Sequence, residues 1–186
     1  MYMSRYKLLR KAYERSDFLK DKDYEIFLKE EKNWLTDYCL FMAIKNSQKG
    51  ICWIDWPDEL KDRHSKAVKE AEKELETEIN FYRFQQYCFT TQWRKLKKYA
   101  NKKGISIIGD VPIYVALDSS DAWANPEMLQ FDKDHNPKSV AGCPPDAFSA
   151  TGQLWGNPLY RWDVHKNQGY SWWISRIKTC YELYDL

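Results

Sequence analysis

The stretch that decides the fold runs from Gly104 to Val115 and reads GISIIGDVPIYV. Its β-branched run lies between two glycines after a helical pattern, which predicts that Ile105–Ile108 form a short, buried, parallel β-strand. Asp110 follows the strand directly, and Pro112 turns the chain away. A carboxylate at a strand end, followed by an irregular loop, is typical of the site-bearing face of an α/β barrel. An equally good interpretation is that Asp110 only caps a turn.

Helical spacing dominates the hundred residues before this strand. Apolar residues recur at that spacing from Tyr24 to a natural stop at Gly50, and again from Ser65 to Ala100. One straight helix over the second span would be about 54 Å long, so we expect a bend or break near Asn80. A single buried strand needs neighbours on both sides for its backbone groups. The pattern therefore predicts an α/β fold that is mostly helical and incomplete.

The chain after the strand changes in character. Residues 110–162 are rich in Pro, Gly, Asn and Asp, and residues 144–162 read PPDAFSATGQLWGNPLYRW. This second segment combines aromatic rings with very few charges and has no helix or strand period. Long loops without regular structure are usually functional or disordered, and the aromatic residues argue against disorder. We therefore expect a functional loop, followed by a helix over residues 170–181.

Composition excludes several classes of protein. The 29 basic and 27 acidic residues give a net charge of +2. This near balance produces no electrostatic field that would attract the chain to nucleic acid or anionic lipid. Five widely spaced cysteines form no CxxC pair, which argues against a disulfide framework or a zinc site. The N-terminus has no apolar signal core, and no apolar run reaches the roughly 18 residues of a membrane helix. We expect a cytoplasmic protein with no metal, no cofactor, no nucleic-acid partner and no membrane association.

A few other side chains carry chemistry, and each has a simpler interpretation. Asp118 and Asp121 form a possible carboxylate pair, but such a DSSD run more often caps a helix or shapes a turn. His64, His135 and His165 lie far apart without ligand-spaced partners, so we expect them on the surface or in loops. The sequence contains no GxSxG motif and no glycine pattern for phosphate binding.

Three long segments of the second half are distinctive: GISIIGDVPIYVALDSSDAWANPEMLQFD (104–132), VAGCPPDAFSATGQLWGNPLYRW (140–162) and GYSWWISRI (169–177). They closely resemble the amylomaltases, also called 4-α-glucanotransferases or disproportionating enzymes. Residues 33–45, 53–60 and 79–105 resemble the preceding helical part of the same family. The resemblance implies a (β/α)8 barrel with inserted helical subdomains. Residues 1–103 would be the helical region, and residues 104–186 a barrel strand, a substrate lid and the following helix.

The resemblance also implies a reaction. Members of this family cleave an α-1,4-glucan, hold the fragment on an Asp, and pass it to a glucan hydroxyl rather than to water. This is retaining glycosidase chemistry, in which a nucleophilic carboxylate and an acid/base carboxylate flank the scissile bond. A bound sugar acceptor and the exclusion of water favour transfer over hydrolysis. The implied partners are α-1,4-glucans such as maltooligosaccharides, starch or glycogen.

The sequence departs from the family pattern at its two ends. The nucleophile strand of the family, with an R-I-D-H-F-R-like motif, would follow the segment that reads YELYDL, which ends at Leu186. The acid/base Glu and the third carboxylate would lie further on, and the first barrel strands would come before residue 1. We therefore expect an internal fragment without catalytic residues, inactive on its own and prone to self-association through bare edges.

Only binding positions carry over from the resemblance. Asp110 matches a strand-end Asp beside the family's active site. The loop that arches over bound glucan is matched by Asp146, Phe148, Gln153, Trp155 and Asn157. Trp155 would stack on a sugar face, Gln153 would bond hydroxyls, and Asn157 would fix the loop backbone. Many relatives carry Tyr where this chain has Ala147, which removes one aromatic contact. Asp118 and Trp123 also match, and we expect structural roles for them.

Two other functions remain as alternatives. A non-catalytic helical module that binds carbohydrate or a protein partner through its aromatic face would show the same composition. The coding sequence beyond Leu186 would separate it from an enzyme, since only the enzyme continues into a nucleophile strand. A nucleic-acid-binding module is less favoured because the charges balance.

Overall fold

Helices form most of the chain. The structure, a computed structural model, describes residues 2–186, with side chains from residue 5 onward. The helices of this part are α1 (Tyr2–Arg15), α2 (Lys22–Glu30), α3 (Lys32–Ser47), α4 (Asp58–Lys61), α5 (Ser65–Glu74), α6 (Glu76–Lys102), α7 (Ser120–Ala124), α8 (Trp162–Asn167) and α9 (Ser171–Leu183). Short 3-10 turns lie at Phe18–Lys20, Trp53–Asp55 and Pro126–Met128. Strands β1 (Val140–Cys143) and β2 (Gln153–Pro158) pair as a two-stranded antiparallel sheet.

The core of the helical region lies where α3 packs against α6. The apolar residues that these two helices bury are Leu35, Cys39, Leu40, Phe41, Ala43, Ile44, Ile79, Phe81, Tyr82 and Phe84. Helix α7 also packs on α3, so the loop region contributes to the same core. Burial of each large side chain stabilises the fold by about 1.5–3 kcal/mol. The predicted apolar stripes are therefore the faces that hold the helices together.

The two predicted long helices are each divided. The first splits at Glu31, whose backbone leaves the helical region and whose carboxylate accepts a bond from the indole of Trp34 at 2.7 Å. The second breaks at Leu75, not near Asn80 as the length argument suggested. Leu75 is partly buried and packs against the core at this break. α3 ends at Ser47, and the predicted stop Gly50 lies three residues further on, at φ 80°.

The predicted strand Ile105–Ile108 is not a buried regular strand. Its contacts are to the C-terminal residues: the Ile107 carbonyl accepts from the amide of Asp185 at 2.9 Å, and the Asp185 carboxylate accepts from the Ile107 amide at 2.8 Å. Ile105 and Ile108 are exposed, the latter by 77%. The prediction was wrong because this segment has a neighbour on one side only, and that neighbour is a few residues long.

The region predicted to be an irregular loop contains a β-hairpin. β1 and β2 pair in the register Val140↔Pro158, Gly142↔Leu154 and Cys143↔Gln153, with an irregularity after Val140. At Gly142 a Cβ would lie 2.4 Å from the carbonyl oxygen of Gln153, so the close approach of the strands requires glycine. Short strands with a bulge and a glycine show no alternation of apolar and polar residues, which is why the sequence pattern missed them.

Indole nitrogens join the loop region to the helical region. Trp53 donates to the carbonyl of Leu117 at 2.7 Å, and the fully buried Trp123 donates to the carbonyl of Leu60 at 3.0 Å. Ser119 caps α7 by accepting from the amide of Ala122. The DSSD run therefore caps a helix, as its simpler interpretation predicted, and Trp123 has the structural contacts expected of it.

Two polar side chains of the loop region hold structural positions. Asp118 pairs with Lys45 of α3, which confirms a structural contact for this carboxylate. His165 in α8 is buried, 1% exposed, among the rings of Tyr160, Trp162 and Trp172. The expectation that His165 lies on the surface was wrong, because three neighbouring aromatic side chains cover it. Burial lowers its pKa, since the charged imidazolium is disfavoured away from water.

Candidate functional site

The hairpin carries the candidate loop, and Asp146 shapes its tip. The Asp146 Oδ1 atom accepts from the backbone amides of Phe148 at 2.9 Å and Ser149 at 2.8 Å. The Ser149 hydroxyl donates to the carbonyl of Gly152 at 2.8 Å, and Gly152 has φ +72°. These bonds form a tight turn. The Asp146 carboxylate stabilises the turn through the backbone amides of the turn itself.

An aromatic surface lies on the exposed side of this loop. Phe148 is 97% exposed at the tip, and Trp155 on β2 is 50% exposed. The Trp155 indole nitrogen donates to Oε1 of Gln153 at 3.0 Å, so the two predicted side chains are held together. This bond fixes the indole plane and leaves the Gln153 amide nitrogen to donate elsewhere. The pair presents a flat apolar face beside a hydrogen-bond donor.

Two side chains fix the base of the hairpin to residues 112–117. The Asn157 amide donates to the carbonyl of Val115 at 2.9 Å, and the Tyr160 hydroxyl donates to the carbonyl of Ile113 at 2.8 Å. The bond from Asn157 is the backbone anchor that the sequence analysis expected. Tyr160 is buried, and burial raises its pKa to about 12, so the hydroxyl remains a donor.

Asp110 lies apart from these loop residues. It is exposed and follows Gly109, whose amide donates to the carbonyl of Leu186 at 2.9 Å. The ring of Tyr184 covers Gly109 so closely that a Cβ there would lie 1.9 Å from the ring. The structure thus joins Gln153 and Trp155 directly, while Asp110 is connected to the hairpin only through the chain from 111 to 115.

The sequence analysis missed two aromatic residues of the site, Tyr114 and Tyr160. Tyr114 stacks on Tyr160 with an interplanar angle of 10° and lies 6.1 Å from the Trp155 ring, centroid to centroid. Tyr114 therefore extends the aromatic surface from Trp155 into the buried base. The sequence did contain one indication of their role. Each tyrosine lies in an apolar segment, and a buried Tyr hydroxyl usually needs a hydrogen-bond partner.

Metal ligands, thiols and membrane helices are the other features that could indicate a function. Within residues 5–186, no three His, Cys, Asp or Glu side chains cluster as a metal site would require. All five cysteines are free thiols, and burial raises the pKa of Cys39 to about 12. None of the described helices combines the length and the apolar character that a membrane crossing needs. Among these features of the described residues, the aromatic surface of the hairpin is the candidate binding surface.

Comparison with known proteins identifies relatives over the whole chain. The sequence model of the family described as 4-alpha-glucanotransferase matches residues 1–186. The 4-alpha-glucanotransferase of Clostridium butyricum is 46% identical over 187 residues, covering 100% of this chain and 38% of the relative. That of Aquifex aeolicus is 45% identical over 185 residues, with the same coverage of 100% and 38%.

A solved structure gives the same result in three dimensions. The amylomaltase from Streptococcus agalactiae in complex with acarbose superposes with a TM-score of 0.91 at 42% identity. The match covers 99% of this chain and 38% of the amylomaltase chain. The chain therefore spans a little more than a third of the length of these relatives.

Proposed function

The chain belongs to the 4-alpha-glucanotransferase family, and on that premise we propose that it is part of an enzyme that transfers α-1,4-glucan segments between glucan chains. The observation that carries the proposal is the family match over every residue of the chain, together with a TM-score of 0.91. The alternative of a non-catalytic binding module is not favoured by this match. Residues 1–103 form the helical region, which comprises the inserted subdomain and a barrel helix, and residues 104–186 supply a barrel strand, the lid and the following helix.

The hairpin acts as a lid over the bound glucan. The Trp155 ring stacks on the apolar C–H face of a glucose unit, and Phe148 adds a second ring at the tip. Gln153 donates its amide to a hydroxyl, because its carbonyl oxygen is already bonded to Trp155. Asp146 shapes the turn with one carboxylate oxygen and accepts a hydroxyl with the other. Asn157 holds the lid in place, and Asp110 lies at the edge of the cleft.

The full enzyme uses a retaining double displacement, which needs a carboxylate nucleophile and a carboxylic acid with a raised pKa. Among the described carboxyl groups, each resolved pKa shift is a lowering, and these groups are Asp21, Asp58, Asp132, Asp163 and Asp185. A lowered pKa keeps a carboxyl group ionised at neutral pH, which suits none of them for general acid catalysis. Because the chain spans only 38% of the length of its relatives, we propose that the 186-residue polypeptide is inactive by itself and works in the cytoplasm as part of a longer enzyme.

Titration with maltoheptaose tests the lid. Trp155→Ala should weaken binding of maltoheptaose to the 186-residue chain by about tenfold, as expected for losing about 1.5 kcal/mol of ring burial. Tyr99→Ala is the matched control, because Tyr99 is an exposed ring on α6 that is 63% accessible and distant in sequence from the hairpin. Equal binding by the wild type and Trp155→Ala in calorimetry would contradict the lid assignment.

Incubation with maltotriose tests the inactivity. The purified chain should release no glucose and form no longer maltooligosaccharides over a day, as judged by chromatography. Products above a no-protein blank would show that the 186 residues contain a complete catalytic site.

A further inference from the structure

A cavity of about 490 Å³ lies between the start of α3, the middle of α6 and α9. None of residues 140–162 lines it, so it is separate from the lid. Its volume lies within the range of about 300–1,000 Å³ that is usual for small-molecule sites. The cavity is open to solvent, so a ligand can enter it directly. The side chains that line it decide what it binds.

Aromatic rings form its walls. Trp34, Trp93 and Trp172 line the cavity, and Phe89 stacks on Trp93 at 6.2 Å between centroids with an interplanar angle of 15°. The three indole nitrogens already donate within the protein, to Glu31, Leu183 and Asp121. The indoles therefore offer their ring surfaces to a ligand and not their N–H groups. Flat apolar walls of this kind accept a flat ligand with a C–H face.

Most charges of the lining are paired within the protein. The charged residues of the lining are Glu31, Asp37, Asp121, Glu182, Arg94 and Arg176. Arg94 pairs with Glu31 inside the lining, Asp37 pairs with Arg63 outside it, and Glu182 pairs with Lys178. The lining therefore presents little uncompensated charge, which suits a neutral ligand.

Polar groups in the cavity are placed to bind hydroxyls. Arg176 is held by a bond from its terminal nitrogen to the carbonyl of Pro112 at 2.7 Å, and its Nε atom is buried out of reach of solvent. Gln86, Thr90 and Ser175 add an amide and two hydroxyls to the same lining. The cavity thus combines apolar faces with several neutral donors and acceptors.

We propose that this cavity binds a neutral sugar of one or two rings. The C–H face of the sugar packs on the indole rings, and its hydroxyls bond the side chains of Gln86, Thr90 and Ser175. The inference goes beyond the proposed transferase and its lid, because it rests on a separate set of residues. The choice of maltose as a probe follows from the proposed function.

The indole N–H signals in ¹H–¹⁵N NMR spectra of the 186-residue chain test the proposal. Maltose should shift the signals of Trp34, Trp93 and Trp172 in a saturable way, each signal being assigned by a Trp→Phe variant. Glucose 6-phosphate and choline should leave these three signals unchanged. Saturable shifts with either charged probe and none with maltose would overturn the assignment of a neutral sugar.

Matched variants separate this cavity from the lid. Trp34→Ala should abolish the maltose shifts of Trp93 and Trp172, and the isosteric Thr90→Val should weaken the affinity about threefold, as for one lost hydrogen bond. Trp155→Ala should leave both the shifts and the affinity unchanged. If Trp155→Ala removes all maltose-induced shifts while Trp34→Ala removes none, the cavity proposal fails and the lid proposal stands.

Discussion

The side-chain amide of Asn157 donates a hydrogen bond to the main-chain carbonyl of Val115 at 2.9 Å. This bond joins β2 of the hairpin to the segment that follows Asp110, and Val115 is buried. Asn157→Ala leaves the buried carbonyl without its partner, which should lower the free energy of unfolding by about 1–3 kcal/mol. Urea denaturation followed by circular dichroism measures the change.

The matched control for this prediction is Gln153→Ala on the same strand. Its amide bonds an exposed indole, so its removal should change the free energy of unfolding by less than about 0.5 kcal/mol. Equal stabilities of the two variants would show that the contact to Val115 does not anchor the hairpin.

Gly109 and Tyr184 form a second pair whose coupling can be measured. Gly109→Ala places a Cβ within 2 Å of the Tyr184 ring, so the ring must move away from Trp93. We expect a loss of about 1–3 kcal/mol in unfolding free energy, as for overpacking. In a Tyr184→Ala background the same change should be nearly neutral, and a double-mutant cycle gives the coupling. If the effects of the two substitutions on the unfolding free energy are additive, the substitution at Gly109 does not act through the Tyr184 ring.

His165 predicts a dependence of stability on pH. Its lowered pKa means that the folded state binds fewer protons than the unfolded state below the unfolded pKa of about 6.5. Stability should therefore fall as the pH drops from 7.5 through 6.5 towards the folded pKa. His165→Leu should remove this part of the slope, whereas His64→Leu, at an exposed position, should leave it in place. Unfolding free energies in urea at each pH decide between these outcomes.

Exposed apolar side chains predict self-association of the 186-residue chain. Ile108 is 77% exposed, Ile113 66% and Tyr181 73%, which is costly for side chains of this size. The mass measured by light scattering should rise above 22.3 kDa as the concentration increases. Replacing Ile108 and Ile113 by Ser should reduce the rise, since the apolar area is lost. A constant monomer mass at high concentration would refute the prediction.

The sequence predicted the helical content and the identity of the loop more reliably than the β structure. Periodic apolar residues mark the helices, because a helix buries one face whatever surrounds it. Ile105–Ile108 carry the composition of a buried strand, but a strand is completed by neighbours that its own residues do not specify. The β-branched run therefore indicated a barrel strand. In this chain, however, Ile105 and Ile108 are exposed to solvent.

The candidate site shows the same division. Asp146, Phe148, Gln153, Trp155 and Asn157 were found through the resemblance, and the structure explains how three of them are held. Gln153 and Trp155 alternate along β2, so the extended strand places their side chains on one face, where Gln153 bonds Trp155, and Asn157 further along β2 bonds the carbonyl of Val115. Tyr114 was missed because its partner, Tyr160, lies far along the chain and is reached only after the hairpin forms.

The two β-like parts of this chain differ in how far their partners lie along the sequence. Cys143 pairs with Gln153 within the hairpin, whereas Ile107 bonds to Asp185, 78 residues away. Closing a short segment takes microseconds, and distant pairings are slower because they must first overcome the entropy of a large loop. The hairpin can consequently assemble during synthesis as soon as residue 158 is available, before α9 and the C-terminal residues have been made. A nascent chain would then display the aromatic residues of the hairpin before Asp185 can bond to Ile107.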